Sequence, residues 1–450
     1  MDGALEKITA FEKRLKRQVI GKPHRFLAVV PLGFEQTFVC EILAILPDSG
    51  SPAGMTHSPS QTDIHVVGDG KVEFTAKLVE AWKIAAYSRI ANRILMHIAD
   101  FKAENFRELE KKADEIPWEL FLDNKGTARV DIHVTCKHSR LYHSDAVAER
   151  LDKILPAPST PQNLFVTLVD DRCTLWLDLA GEELYKRGHE RFVNDAPLKE
   201  TIAAAMIFEA QSIALSPSNQ SHHIFTQDIP FRATLFDLMA GSGTFSLEAA
   251  YMANGFIPGI CRDFALKHQP AFKEATWNFL IRRDNGAAAT ITKIVTSDIS
   301  ERSIEIIRHN VDCSPLASIA PSENSPTITP QLRDFFSYTA KDIADTCGKS
   351  APIIVLNPPY GKRLDFDAPK LYTKIGRHLA ALANGLKQLG KTLTVAILAP
   401  KDDTRDGAKY TCTANLLREC PALSPESNSA AKCIATSHGG LMLNVLIARI

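Results

Sequence analysis

The run Asn357-Pro358-Pro359-Tyr360 follows directly on an apolar stretch, APIIVL. These residue types suit one kind of chemistry. The lone pair of an aromatic exocyclic amine is delocalised into its ring, so the nitrogen is a poor nucleophile. The Asn357 carboxamide oxygen and the Pro358 carbonyl can both accept hydrogen bonds from such an NH2 group. That polarises the nitrogen and aims its lone pair at a methyl donor. Pro358 and Pro359 stiffen the loop, so the acceptors are held in place before a substrate arrives. Tyr360 offers a face on which a base can stack once out of its helix. No general base of high pKa is needed, because the nitrogen sheds a proton readily after attack. Read alone, the run also fits a rigid turn after a strand. Lys362 and Arg363 next to it can hold backbone phosphates or stand as solvated surface charges.

A second cluster narrows the choice. Phe236-Asp237-Leu238-Met239-Ala240-Gly241-Ser242-Gly243-Thr244 sits where a strand meets a helix. Gly241 and Gly243 allow a sharp turn and close approach to a ligand, and the helix start beyond them offers free N–H groups. Asp237, before the glycines, would repel an anionic pyrophosphate. It suits an ammonium group such as that of the methionine part of S-adenosylmethionine. The third glycine of a dinucleotide fingerprint is replaced by Ser246, and no Gly-Lys-Ser/Thr follows, which excludes a P-loop. The next strand ends at Asp298, where a carboxylate can accept from both hydroxyls of a ribose. A third strand candidate ends at Asp334, followed by Phe335 and Phe336. That side chain suits an adenine amino group, or else caps a turn.

The elements that must position these residues read as a βαβ series. TLFDL, KIVTSD, APIIVL and KTLTVAILAP are apolar strands alternating with helical segments, and LMLNVLIARI closes the series. This predicts a doubly wound, largely parallel sheet. Ahead of Leu184, shorter strands and helices mix, with Asp69-Gly70 and Asp170-Asp171 as hairpin turns. One or two small α+β units are expected there. Stretches rich in Ser, Pro and Asn at Asp48–Thr62, Ser216–His223 and Ser314–Pro330 read as surface loops or insertions.

Composition sets outer limits. The chain has 450 residues, 45% hydrophobic and 23% charged, with a formal net charge of zero. No apolar run reaches the roughly 18–20 residues of a membrane span, and the charged start MDGALEKITAFEKRLKRQVIGK lacks an apolar signal core, so a cytoplasmic protein is expected. The 9 cysteines are scattered, with no CxxC pair and no zinc spacing, so no metal site is expected. A basic patch, Lys13, Arg14, Lys16, Arg17, Lys22 and Arg25, marks either a nucleic-acid contact or a solvated helix.

Taken together, these motifs resemble the THUMP-containing guanine-N2 RNA methyltransferases, which act on bacterial large-subunit rRNA and on archaeal tRNA. The likeness runs from about Arg25 to the C-terminus. RFLAVVPLGFEQTFVCEIL is similar to the family's ferredoxin-like opening. RVDIHVTCKHSRLYHSDAVAERL is similar to the end of a THUMP module, with Ser139, Leu141, Tyr142 and His143 in the usual places. LYKRGHERFVNDAPLKETIAAAMI resembles the linker and first methyltransferase helix, and LNPPYGKRL the catalytic loop.

The resemblance implies a basic extension at 1–24, a ferredoxin-like module at 25–85, and a THUMP module with linker strands at 86–183. A Rossmann-like methyltransferase domain with an antiparallel last strand would fill 184–450. It implies S-adenosylmethionine as cofactor, held by Pro197, Leu198, Asp237, Gly241, Gly243, Thr244, Asp298 and Asp334, with Ala196 and Lys199 beside the pocket. Catalysis would fall to Asn357, Pro358, Pro359 and Tyr360. RNA contacts would come from Lys137, Arg140, Tyr142, His143, Lys362 and Arg363. A segment holding Pro258, Gly259, Arg262, Phe264 and Trp277 would help hold the target nucleotide, with a core position as the alternative for Trp277. The favoured partner is 23S rRNA, with tRNA second and no membrane. With no second methyltransferase domain following, a single-activity form is expected. An adenine-N6 nucleic-acid methyltransferase or a protein-glutamine methyltransferase would share the loop, and the THUMP-like region argues against both.

Overall fold

The computed structural model describes residues 9–46, 64–194, 197–215, 231–282, 290–319, 326–360, 367–402 and 411–450. Ala196, Gly361, Lys362, Arg363, the Asp48–Thr62 and Ser216–His223 stretches and part of Ser314–Pro330 lie outside the described residues. The chain divides into two compact units. The first draws on Met1–Val30, Ile45–Lys186 and Gly259–Arg282; the second on Pro31–Ala44, Arg187–Pro258 and Arg283–Ile450.

The first unit holds β1 (Pro23–Val29), β2 (Ile64–Gly68), β3 (Lys71–Lys77), β4 (Arg93–Lys102), β5 (Val130–Lys137), β6 (Gln162–Val169) and β7 (Arg172–Asp178). They form one seven-stranded sheet in the order β2-β3-β1-β4-β7-β6-β5. Only β5 and β6 run parallel among these pairings, which requires the crossover through the Ser144–Asp152 helix. The two hairpin turns are where the sequence places them. Gly70 has φ +67°, and Asp170 and Asp171 have φ +49° and +62°, the left-handed pair that a tight hairpin twist demands. The sheet is continuous across the expected ferredoxin-like and THUMP segments, because β4 pairs with β1 on one side and β7 on the other.

The Gly259–Arg282 segment belongs to this unit. A Cβ on Gly259 would fall 2.6 Å from Phe264 Cζ and 3.0 Å from the Ala86 carbonyl, so only glycine fits. The Arg262 guanidinium donates to the carbonyls of Glu182, Glu183 and Lys186. Trp277 is buried edge-on to Phe264 at 5.2 Å. Arg262 thus ties backbone together, and Trp277 is core, the alternative that the sequence left open for it.

The second unit holds β8 (Ala233–Asp237), β9 (Ile291–Asp298), β10 (Gln331–Leu332), β11 (Ala351–Leu356), β12 (Thr394–Pro400), β13 (Lys432–His438) and β14 (Leu441–Arg449). Their order is β10-β9-β8-β11-β12-β14-β13. The strands from β10 to β12 are parallel and β14 is antiparallel, as expected. All five residues of β8 and most of β11 and β12 are buried, which is why these strands read as continuous apolar runs. Each fully buried Val, Leu or Ile contributes about 1.5–3 kcal/mol relative to exposure. Phe236, Leu356, Tyr372, Ile397 and Leu446 anchor this core. Among the described residues no helix is long and apolar enough to cross a membrane.

Candidate active site

Strand order reverses at β8, which has β9 on one side and β11 on the other. Ligand crevices in open α/β sheets lie beyond the carboxyl ends of the strands at such a switch point. The register places four predicted residues along that edge. Asp237 closes β8 opposite Thr296 and Val355. Asp298 lies two residues past Thr296, and Asn357 two past Val355. Asp334 lies two past Leu332, the partner of Asp298. Their order across the edge is Asp334, Asp298, Asp237, Asn357.

Asp237 is fully buried. Its Oδ2 accepts from the Ser246 N–H at 3.1 Å and the Ser246 hydroxyl at 2.7 Å. Its Oδ1 is buried and has no hydrogen-bond partner among the described residues. Burial pushes the carboxyl up to about 7, and the charge of nearby Asp298 acts in the same direction. A buried acceptor without a donor is costly unless a ligand supplies one. A cationic N–H group fits this one.

Gly241 and Gly243 have φ +56° and +79°. Open space surrounds the missing Cβ of Gly241, whereas that of Gly243 would meet Ile307 at 3.0 Å. Asp298 pins the loop: its Oδ2 accepts from the Gly241 N–H at 2.8 Å and its Oδ1 from the Ser300 N–H at 2.9 Å. Each oxygen keeps a second lone pair. Asp334 caps the short helix Phe335–Ser337, accepting from the Phe336 N–H at 3.0 Å. The turn role weighed for it in the sequence is the one seen.

Asn357 resembles Asp237 in one respect. Its Oδ1 is buried without a hydrogen-bond partner among the described residues. Pro358 is buried beside it and Pro359 is exposed. Burial pushes the Tyr360 phenol up to about 12, which keeps it neutral near pH 7.

One group of residues was not foreseen. Residues 187–194, with Pro197 and Leu198, are fastened along the helix Thr244–Ala253 and the helix Glu301–Asp312. Arg187 pairs with Glu248 at 2.9 and 3.1 Å, both side chains buried. The Tyr251 hydroxyl and His189 Nε2 are 2.9 Å apart. Arg191 pairs with Glu200 and donates to the Thr244 hydroxyl. Asn310 bonds both the N–H and the carbonyl of Phe192, at 2.7 and 2.9 Å, and donates to the Ser242 carbonyl at 3.0 Å. His438 Nε2 donates to the Pro197 carbonyl at 2.8 Å, and the Thr244 hydroxyl reaches the Leu198 carbonyl at 3.4 Å. This strap brings Pro197 and Leu198 to the glycine turn. The available signal was the alternation Arg187, His189, Arg191 facing Thr244, Glu248 and Tyr251 at helical spacing.

Breaking a buried pair leaves an uncompensated charge, worth about 3–5 kcal/mol. Arg187→Ala should therefore lower the unfolding free energy of the second unit by that amount, read as a fall in its urea midpoint. An unchanged midpoint would show that the pair carries no net weight.

Lys137 ends β5 in the first unit, Arg140, Tyr142 and His143 follow it, and all four are exposed. The Tyr142 and His143 rings are 4.0 Å apart. Arg140 pairs with Glu104, and its backbone N–H donates to Asp171 at 2.7 Å.

Residues 231–396 match the methyltransferase-domain model of the RMKL-like family UPF0020. This part of the chain is similar to the methyltransferase domain of that family. The chain is 28% identical over 407 residues to the ribosomal RNA large subunit methyltransferase K/L of Syntrophotalea carbinolica, covering 83% of this chain and 51% of that protein. The chain spans about half the length of the curated relatives it matches. Among solved structures, SMU.472 complexed with SAH aligns with a TM-score of 0.66 at 20% identity, covering 95% of this chain and 98% of that one. TrmN from Thermus thermophilus aligns with a TM-score of 0.56 at 17% identity, covering 95% and 100%. At these identities the two structures share the fold. The RlmKL-like match covers the glycine turn, Asp298 and the Asn357 loop together.

Proposed function

We propose that this RlmKL-like chain is an S-adenosylmethionine-dependent RNA methyltransferase acting on the exocyclic N2 of a guanosine, with 23S rRNA favoured and tRNA second. The observation that carries the reading is the buried, unpartnered Asn357 Oδ1 one strand away from the buried, unpartnered Asp237 Oδ1. One acceptor suits the substrate amine and the other suits the cofactor ammonium.

When bound, S-adenosylmethionine supplies an electrophilic methyl carbon. Asp237 would hold its ammonium, Asp298 its ribose, and the turn at Gly241 and Gly243 would let the backbone approach it, with Pro197 and Leu198 against it. Asp334, already capping, has one oxygen left for the adenine side. Asn357 Oδ1 and the Pro358 carbonyl accept from the target NH2 and orient its lone pair. Tyr360 supports the flipped base. The nitrogen releases its proton to solvent after attack. The exposed Lys137, Arg140, Tyr142 and His143 would contact RNA by shape and phosphate.

Mass spectrometry of rRNA and tRNA nucleosides from cells lacking this gene tests the reading. Loss of N2-methylguanosine from one RNA should be restored by the wild type and not by Asn357→Ala. Unchanged N2-methylguanosine with loss of an adenine mark would overturn it.

A further inference from the structure

The first unit holds a cavity of about 610 Å³ that no part of the reaction uses. Its volume falls in the range of small-molecule sites. It opens between β1, β4 and the 112–121 segment. Lys22, Arg25 and Lys112 line it, with Glu115 as the one acidic residue of the lining. Arg25 is partly neutralised behind the wall by Asp100 at 3.1 Å and Glu73 at 3.6 Å. His24 and His97 also face it, and burial holds both below the usual histidine range, so they stand neutral at pH 7. Phe101, Ile116, Pro117 and Phe121 form a half-buried apolar part of the wall, beside Gln18 and the buried Leu120.

The helical stretch before β1 adds Gln18 to the lining. The helical stretch Ala10–Ile20 exposes Lys13, Arg14, Lys16 and Arg17. It is held against β1 by His24 Nε2, which donates to the Val19 carbonyl at 2.7 Å. Of the basic patch in the sequence, Lys22 and Arg25 line the cavity, and Arg14 pairs with Glu119 at 2.6 Å.

We propose that this cavity holds an unpaired nucleotide of the RNA substrate other than the reacting base. The inference rests on the RNA reading above. Cations beside an aromatic and apolar wall match both halves of a nucleotide: phosphate to Lys22, Arg25 and Lys112, and base against Phe101 and Phe121. A duplex does not enter a concavity of this size, whereas a bulged or terminal nucleotide does.

The test uses the full chain and a fluorescein-labelled single-stranded oligouridylate of roughly 12 nucleotides. Anisotropy is read from roughly 50 to 200 mM salt. Lys22→Gln with Lys112→Gln removes two contacts. Each is worth a slope of about 0.7 in log K against log salt for single strands. The double variant should bind about 20-fold more weakly near 0.1 M salt, with a slope shallower by about 1.4. A charge-matched control, Lys341→Gln with Lys349→Gln, should leave both unchanged. Photo-crosslinking of a 4-thiouridine version of the probe should label peptides that contain Phe101 or Phe121.

Wild-type binding with neither slope nor affinity altered in the double variant would overturn the pocket while leaving the RNA reading standing. Absence of binding to the oligomer and to purified rRNA and tRNA alike would sink both. AMP or inorganic phosphate binding here as tightly as the oligomer would assign the site to a free small anion and overturn the proposal.

Discussion

Asn357→Ala is expected to lower the turnover of methyl transfer by about 10²–10³-fold, the cost of losing one aimed polar group in a water-poor site. Affinity for S-adenosylhomocysteine should stay within about twofold, because in the proposed role Asn357 would meet the amine and not the product of the donor. The two readings together isolate its role. The Asn357 oxygen is buried with nothing to accept from in the described structure, so its removal costs the folded state little. A loss of turnover therefore reports chemistry. Equal losses in turnover and in product binding would instead make the loop a structural turn, the plain alternative for an Asn-Pro-Pro-Tyr run.

The second large effect is a pH dependence of cofactor binding. Asp237 is raised from 3.8 to about 7 by burial. An ammonium beside it favours the ionised form and pulls the value back down. Binding of S-adenosylhomocysteine, which carries the same ammonium, should therefore tighten as pH rises through about 7 and then level off. Below that point it should weaken by about tenfold per pH unit. Asp237→Asn should flatten the profile at the weak end. The sign for stability is the reverse. The folded protein holds this proton more tightly than the unfolded chain, so the contribution is fully present below about 4 and is lost as pH rises towards about 7. The ligand-free protein should lose stability across that window, and the ligand should restore it. Isothermal titration and melting at matched pH values check both halves; a binding profile that weakens with rising pH would remove Asp237 from the ammonium site.

Much of this site was legible in the sequence because it depends on strand ends. An apolar run that stops at an acid or at Asn-Pro-Pro-Tyr marks both the strand and the position of its last side chain. That is how Asp237, Asp298 and Asn357 could be placed without knowing the sheet. The parallel order then aligns them, because three neighbouring strands end at one edge. Asp334 was legible as two alternatives, and the capping bond to Phe336 is the one observed.

Other features were not legible, for a common reason. The strap depends on pairs far apart in the chain, such as Arg187 with Glu248 and Phe192 with Asn310. Periodicity reports one element at a time and is silent on such pairs. The same limit hid the continuity of the first sheet, which turns on β4 lying between β1 and β7. For the segment with Arg262 and Trp277 a nucleotide role was implied by resemblance alone, with core left open for Trp277. Three backbone carbonyls and a Phe264 contact occupy them instead. Glu248 was the overlooked signal: an acid in a helix otherwise apolar calls for a buried partner.

The most direct test of the central claim is where the methyl group goes. Purified protein is incubated with S-adenosylmethionine carrying a deuterated methyl and with rRNA or tRNA lacking its modifications, and the digested nucleosides are read by mass spectrometry. Label on the N2 of guanosine, present with the wild type and absent with Asn357→Ala, is the predicted result. Label on adenine N6, on a ring nitrogen or carbon, or undiminished in the Asn357→Ala sample would contradict an Asn357 loop that activates the guanine amine.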